Sequence, residues 1–472
     1  MRGLGDAIVS AVSLVALVAG CDDEPRRTGG SGDGPACVTE DTFASDGRRK
    51  LDILFVVDDS PSMATMDAKL ATAYPLLAAA FAAPQDFRFN LHVAVVSASL
   101  GGGKFGDVPG CEAGGPGDRQ GRFSHPEGAG LSPGETFMRI NGGPVNFTKD
   151  PGEVFGALAR LGSGGCPYPQ PLEAARRALV KARDPADPDN AGFLRDDAEL
   201  GIVIITNEDD CSIPADSDLF DPRQTTVADP YGAPGAYRCA EFGWLCAGGA
   251  PPHALPSGRD SIALDACVPD PTGGRLTPLA ELRQFLAELK PSPDNVMLAL
   301  IAGPDHPVVL GPGASPEMAS PVIEPSCTGA SGEPALPALR LKSFADTFGP
   351  NGLFLPACAP ATSFPNALTT MLTTLNIKEP RCLSGTPTAT DAGIPSCLVT
   401  ATHVDENHVE TRWRLSYCDA DRSVLPCWQL GEVSSCSAGA PRLQICRDAA
   451  CSGSSPLPES GHIDVSCEVA CR

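Results

Sequence analysis

Asp58, Ser60 and Ser62 are the residues of this chain whose types and spacing best suit a chemical task. They lie in Leu51–Met63, LDILFVVDDSPSM, where an apolar run from Ile53 to Val57 stops at Asp58-Asp59-Ser60-Pro61-Ser62. A carboxylate followed two and four residues later by hydroxyls offers only oxygen ligands, the kind that Mg²⁺, Mn²⁺ and Ca²⁺ take. The apolar run reads as a buried strand, and open α/β sheets put their ligands at the C-terminal ends of strands. A plain polar turn draws on the same residue types, since Asp, Ser and Pro are common in turns.

The surrounding sequence alternates apolar runs with helical patterns from about Arg49, as an α/β domain with a largely parallel sheet does. Strands are expected at Leu51–Val57, Phe89–Ser97, Leu200–Thr206, Val296–Ala302 and Gly352–Leu355. Between them, helices are expected at Ala64–Ala82, with Leu70, Tyr74 and Leu77 on one stripe, and at Pro171–Arg183, Thr277–Leu289 and Pro365–Ile377. Long Gly/Pro/Cys-rich insertions at Gly101–Pro144, Ser212–Gly274 and Asp305–Glu333 interrupt this order, and their cysteines predict that they are stapled. Residues 378–472 are turn-rich and Cys-rich, with short strands expected at His408–Tyr417 and Leu443–Cys446, a small β module that depends on disulfides.

Composition bears on the compartment. Arg2, an apolar stretch from Ala7 to Ala19 and Val18-Ala19-Gly20-Cys21 form an export signal too short to span a bilayer. Its end resembles a bacterial lipobox, which implies that Cys21 is lipid-modified and anchors the protein to a membrane. Residues 21–48 then read as a flexible tether. There are 19 cysteines; setting Cys21 aside leaves 18, an even number that predicts a disulfide framework in an oxidising compartment. No paired CxxC spacing favours zinc, and His403 and His408 bracket HVDENH, which lacks the HExxH order and reads as a polar loop. A net charge of −23 argues against nucleic acid, whose phosphates need Lys and Arg.

The D-x-S-x-S run after a hydrophobic strand resembles the metal-ion-dependent adhesion site of von Willebrand factor type A (vWA) domains. The order of elements over Arg49–Ile377 is similar to theirs. A narrower likeness is to exported or lipidated vWA proteins of myxobacterial type, in DILFVVD, Gly165-Cys166 before Gln170-Pro171-Leu172-Glu173-Ala174, and Ile205-Thr206-Asn207-Glu208-Asp209-Asp210-Cys211-Ser212. The resemblance implies a doubly wound, mostly parallel α/β sheet over 49–377, behind a leader at 1–20 and ahead of the Cys-rich β module. It implies a divalent cation (Mg²⁺, Mn²⁺ or Ca²⁺) held by Asp58, Ser60 and Ser62. Asn207 stands where the family has an aspartate, so its amide oxygen and the Asp209 carboxylate are expected ligands, with Asp210 also within reach. Cys166 falls where the family has a threonine; a disulfide is expected there, leaving Gln170 to supply an oxygen. Glu208-Asp209-Asp210 also reads as a second Ca²⁺ site or as a solvated acidic loop.

Three functions follow as expectations. The first is a non-enzymatic, cation-dependent module that binds a protein ligand through the partner's acidic side chain, in a lipid-anchored protein of the cell envelope. The second is an envelope scaffold with a degenerate metal loop. The third is a hydrolase, for which no G-x-S-x-G elbow or Cys/His arrangement stands out.

Overall fold

The computed structural model describes residues 36–44, 49–82, 89–140, 145–196, 198–290, 293–313, 320–378, 383–404, 410–431, 441–446 and 461–470. Cys21, the leader and the tether up to residue 35 lie outside the described residues, as does His408. The chain divides into a unit of Gly47–Glu379 and a unit made from its two ends. The first described strand, β1 (Ala36–Ala44), belongs to the latter.

The larger unit opens with β2 (Arg49–Val57), a 3-10 turn at Pro61–Thr65, α1 (Asp67–Ala82) and β3 (Phe89–Ser97). There follow β4 (Met138–Ile140), α2 (Pro151–Ala159), α3 (Pro171–Arg183) and β5 (Glu199–Ile205). An excursion with α4 (Tyr237–Gly243), β6 (Trp244–Leu245), β7 (Ile262–Leu264) and β8 (Val268–Pro269) precedes α5 (Leu279–Ala287) and β9 (Val296–Ala302). A second carries β10 (Val308–Gly311), β11 (Val322–Ile323), β12 (Cys327–Thr328) and β13 (Pro334–Ala335). It leads to α6 (Leu339–Asp346), β14 (Gly352–Pro356) and α7 (Phe364–Lys378).

Six strands form the main sheet in the order β14-β9-β5-β2-β3-β4. All neighbours run parallel except β4, which is antiparallel to β3. Strand side chains alternate between faces, and here both faces are apolar. Ile53, Phe55 and Val57 pack with residues of α1, α2 and α7, while Leu54 and Val56 pack with residues of α3, α5 and α6. A strand covered on both sides has no polar face to show, which is why β2, β5 and β9 read as near-continuous apolar runs. In register, Val57 lies opposite Ser97 on one side and Ile205 on the other, so β2, β3 and β5 end in line.

The insertions are stapled. Disulfides join Cys111–Cys166, Cys211–Cys239, Cys246–Cys267 and Cys327–Cys358. Bonds of this kind persist in oxidising surroundings, which makes this an exported or surface-type protein. The first insertion also contributes the edge strand β4, where only irregular chain was expected. Arg238 organises the second: its buried guanidinium donates to the carbonyls of Leu219, Asp221, Gln224, Gly232 and Ala233. No helix among the described residues is long and apolar enough to cross a membrane.

His92, on β3, has a consequence for stability. Its Nδ1 donates to the Phe193 carbonyl at 2.8 Å. Burial, reinforced by the Arg195 guanidinium, pushes the imidazole down from 6.5 to about 4. Asp52 lies 3.7 Å from the same nitrogen, but Arg195 already holds its carboxylate. Above pH 6.5 His92 is neutral in folded and unfolded chains alike. Below it the unfolded chain takes up a proton that the folded one refuses, so stability falls as pH drops from 6.5 toward 4. The loss expected by pH 5 is about 2 kcal/mol. Urea midpoints at pH 7.5 and 5 for the wild type and His92→Gln check this; the His92-dependent part is the difference between the two pH slopes.

The smaller unit is a sheet of β1 with β15 (Cys397–Val404), β16 (Glu410–Tyr417), β17 (Cys427–Gly431), β18 (Arg442–Cys446) and β19 (Gly461–Ala470), ordered β1-β19-β15-β16-β17-β18. Neighbours are antiparallel except β16 and β17. Cys397–Cys467 and Cys418–Cys427 cross-link it, and Cys37 and Cys446 are also disulfide-bonded. Residues 36–44 are therefore strand and not tether. Their pairing partner, β19, is at the far end of the chain, and Thr42 donates to Asp464 across 422 positions.

Candidate metal centre

Three strand ends build the site. The Asp58 N–H donates to the Ile205 carbonyl at 2.9 Å and the Ala98 N–H to the Val57 carbonyl at 3.0 Å, so the loops after β2, β3 and β5 leave the sheet together. Ser60 caps the 3-10 turn with Pro61 at its first position. The Ser60 N–H donates to Asp58 Oδ1 at 2.8 Å, folding the carboxylate back over the loop. That turn brings the Ser60 and Ser62 hydroxyls to 2.9 Å from each other, and Ser62 Oγ donates to Asn207 Oδ1 at 2.9 Å. The Asn207 amide in turn donates to the Ser62 carbonyl at 3.2 Å. Asp58, Ser60, Ser62 and Asn207 thus converge, with Ser62 the half-buried member and the others buried.

Glu208 joins them. Its carboxylate is hydrogen-bonded to Ser62, and burial together with the charge of Asp58 pushes it up to about 7. Burial likewise raises Asp58, against the hydrogen bonds it receives from Thr206 and Ser60. No cationic side chain among the described residues pairs with Asp58. The donor set is all oxygen: two carboxylates, two hydroxyls and an amide carbonyl. It fits a hard divalent cation, and an added positive charge would relieve the two carboxylates. Asp58, Ser60, Ser62, Asn207 and Glu208 would hold the ion, which would polarise whatever oxygen a ligand presented to it.

Other expected ligands are elsewhere. Asp209 accepts the Trp244 indole N–H at 3.0 Å and the backbone N–H groups of Arg340 and Leu341 at 2.9 and 3.1 Å, so it caps the start of α6. Asp210 accepts from the Leu172 N–H at 3.2 Å and from the Ser212 hydroxyl at 2.6 Å, and it pairs with Arg340 at 3.2 Å. Gln170 Oε1 accepts the Ile213 N–H at 3.2 Å. Each of these groups is already engaged by backbone N–H groups, joined at Asp209 by the Trp244 indole and at Asp210 by the Ser212 hydroxyl and Arg340. Glu208-Asp209-Asp210 is accordingly neither a solvated acidic loop nor one continuous ligand cluster: Glu208 faces the cation loop while its two neighbours hold helices in place. Cys166 is in its disulfide with Cys111, 0% exposed.

Four supporting residues escaped the sequence reading. Thr206 Oγ1 donates to Asp58 Oδ2 at 2.7 Å and accepts the Glu208 N–H at 3.0 Å, joining the two loops through one hydroxyl. Asp59, buried next to Asp58 in the chain, accepts at one oxygen from Ser97 at 2.7 Å and Ser99 at 2.6 Å, and burial raises it to about 6. A Cβ on Gly165 would come within 2.4 Å of Ser99 Oγ and 2.5 Å of Asp59 Oδ1, so the Cys166 loop can close on Asp59 only with glycine there. The available signal was position: all four side chains stand within two residues of a strand end. A cluster of Cys418, Cys427 and Cys446 in the smaller unit brings three sulfurs together, but all three are in disulfides and are not free to ligate.

The sequence matches no family model and no curated protein. Among solved structures, the chain is similar to the pilus adhesin SpaC of Lactobacillus rhamnosus GG in its open conformation, at 10% identity and a TM-score of 0.31. That match covers 96% of this chain and 45% of SpaC, so the chain spans less than half the length of that protein. It is also similar to three N-terminal domains of the type V pili tip protein Mfa5 from Porphyromonas gingivalis, at 10% identity and a TM-score of 0.27, over 95% of this chain and 69% of the other. Similarity at this level does not establish a shared fold.

Proposed function

We propose that the larger unit is a doubly wound domain of vWA type that binds a protein partner through a divalent cation, without catalysing a reaction. The observation that carries this reading is the convergence of Asp58, Ser60, Ser62, Asn207 and Glu208 at the aligned ends of β2 and β5, with two carboxylates and, among the described residues, no cationic side chain paired with Asp58. A partner carboxylate on the ion would complete its coordination. Cys21 would tether the protein to a membrane of the cell envelope, and nucleic acid has no place in this reading.

A scaffold reading draws on a different observation. Ser60, Ser62 and Asn207 already satisfy one another by hydrogen bonds, and a disulfide cysteine stands where the family has threonine. Melting temperatures in EDTA and with excess Mg²⁺, Mn²⁺ or Ca²⁺ separate the two. An ion that binds only the folded state at 100 times its Kd stabilises by about 2.7 kcal/mol. The expected result is a rise of several degrees with at least one ion; no shift with any of the three would leave the scaffold.

A further inference from the structure

Beside the cation loop lies a cavity of about 290 Å³ between α1 and the chain leaving α2. Asp58 is part of its wall, so cavity and candidate cation site share a residue. Met63, Leu70, Tyr74 and Leu161 supply apolar surface, while Asp67 and Arg160 stand at the wall with opposite charges. Tyr74 is 2% exposed, yet its hydroxyl has no hydrogen-bond partner among the described residues. The hydroxyl is not fully enclosed, so it is open to a ligand group in the cavity it lines, and a hydrogen bond there contributes about 1 kcal/mol net.

We propose that this cavity takes a tyrosine side chain of the partner, adjacent in its sequence to the acidic residue that caps the cation. This rests on the cation reading above. A cavity of this volume admits a single aromatic ring, at the small end of ligand sites. Its walls reward apolar area, and the Tyr74 hydroxyl, without a partner among the described residues, rewards a ring that carries a hydroxyl. The shared Asp58 fixes the spacing: neighbouring Cα atoms are about 3.8 Å apart, so side chains of successive residues reach adjoining sites.

The test uses the dipeptides Ac-Asp-Tyr-NH₂ and Ac-Tyr-Asp-NH₂ against the same pairs with alanine or phenylalanine for tyrosine, titrated by NMR into the full protein with Mg²⁺ or Mn²⁺. The better tyrosine order is expected to bind about tenfold tighter than its alanine analogue, the worth of one buried ring. EDTA should abolish binding of both. Tyr74→Phe should weaken the tyrosine peptide about fivefold, the worth of one hydrogen bond, and leave the phenylalanine peptide unchanged. Ala71→Trp, on an exposed helical position lining the cavity, should erase the preference for a ring while the cation-dependent melting shift persists. Equal affinity for tyrosine and alanine peptides, in protein whose melting shift shows the ion bound, would overturn the cavity assignment and leave the cation reading intact. A ring preference that survives EDTA would overturn the coupling between the two. No melting shift with any ion would overturn the cation reading and this pairing with it.

Discussion

Arg340→Ala is expected to destabilise the larger unit by about 3–5 kcal/mol, the cost of breaking a buried ion pair by removing one partner. Arg340 and Asp210 are both 0% exposed. Besides its 3.2 Å contact with Asp210, Arg340 Nη2 donates to the Thr277 carbonyl at 2.8 Å. Asp210 also receives the Leu172 N–H at the start of α3 and the Ser212 N–H and hydroxyl. The pair therefore ties together the first turns of α3 and α6 and the chain entering α5. Alanine at 340 leaves the Asp210 carboxylate buried without its counter-charge. The network is not complete, since Arg340 Nη1 has no hydrogen-bond partner. A neutral replacement of both charges is thus expected to cost less than removing one, so Arg340→Met with Asp210→Asn, which keeps an acceptor for the Leu172 and Ser212 N–H groups, should recover at least half of the loss. Guanidinium unfolding of Arg340→Ala and of the double variant with disulfides intact measures it; Arg340→Ala within about 0.5 kcal/mol of wild type, the range of ordinary surface changes, would refute the assignment.

The same network explains what could and could not be read from residues in order. Leu51–Val57, Leu200–Ile205 and Val296–Ala302 announce themselves because strands buried on both faces leave uninterrupted apolar runs. The cation loop is equally local: Asp58, Ser60 and Ser62 lie within five positions, and the Ser60 N–H bond to Asp58 that shapes them is a contact over two residues. The role of Asp209 is not local at all. Its partners are Trp244, 35 positions on, and the backbone of Arg340 and Leu341, more than 130 positions on. No pattern near Asp209 separates a helix cap from a metal ligand, because both tasks call for a carboxylate after a strand. Strand β4 escaped for a different reason: three residues are too few to show alternation. β1 escaped because its partner is at the other end of the chain. Thr206 shows how position could have served better than motif. It stands directly after β5, facing the end of β2, and a hydroxyl there was bound to meet Asp58 once the two strands aligned.

Asp58→Asn is expected to have opposite effects with and without cation. In EDTA the variant should be at least as stable as wild type. Burial disfavours the Asp58 charge, no basic side chain among the described residues balances it, and Glu208 adds a second negative charge nearby. An asparagine keeps the acceptor for the Ser60 N–H. Thr206 Oγ1 lies 3.2 Å from the Glu208 carbonyl and can turn its proton there, freeing it to accept from the new amide. The fold therefore loses no hydrogen bond, and removing the charge lets Glu208 ionise more readily. With excess Mg²⁺ or Mn²⁺ the order should reverse: wild type gains about 2.7 kcal/mol at 100 times Kd, and the variant gains little because the central carboxylate is gone. Melting curves for both proteins, each in EDTA and in cation, give the four values needed. A crossing of the two pairs means that Asp58 carries a charge the fold keeps for the sake of an ion. Parallel shifts in both proteins would place the ion elsewhere, and a variant destabilised in EDTA would mean that the carboxylate serves the fold itself.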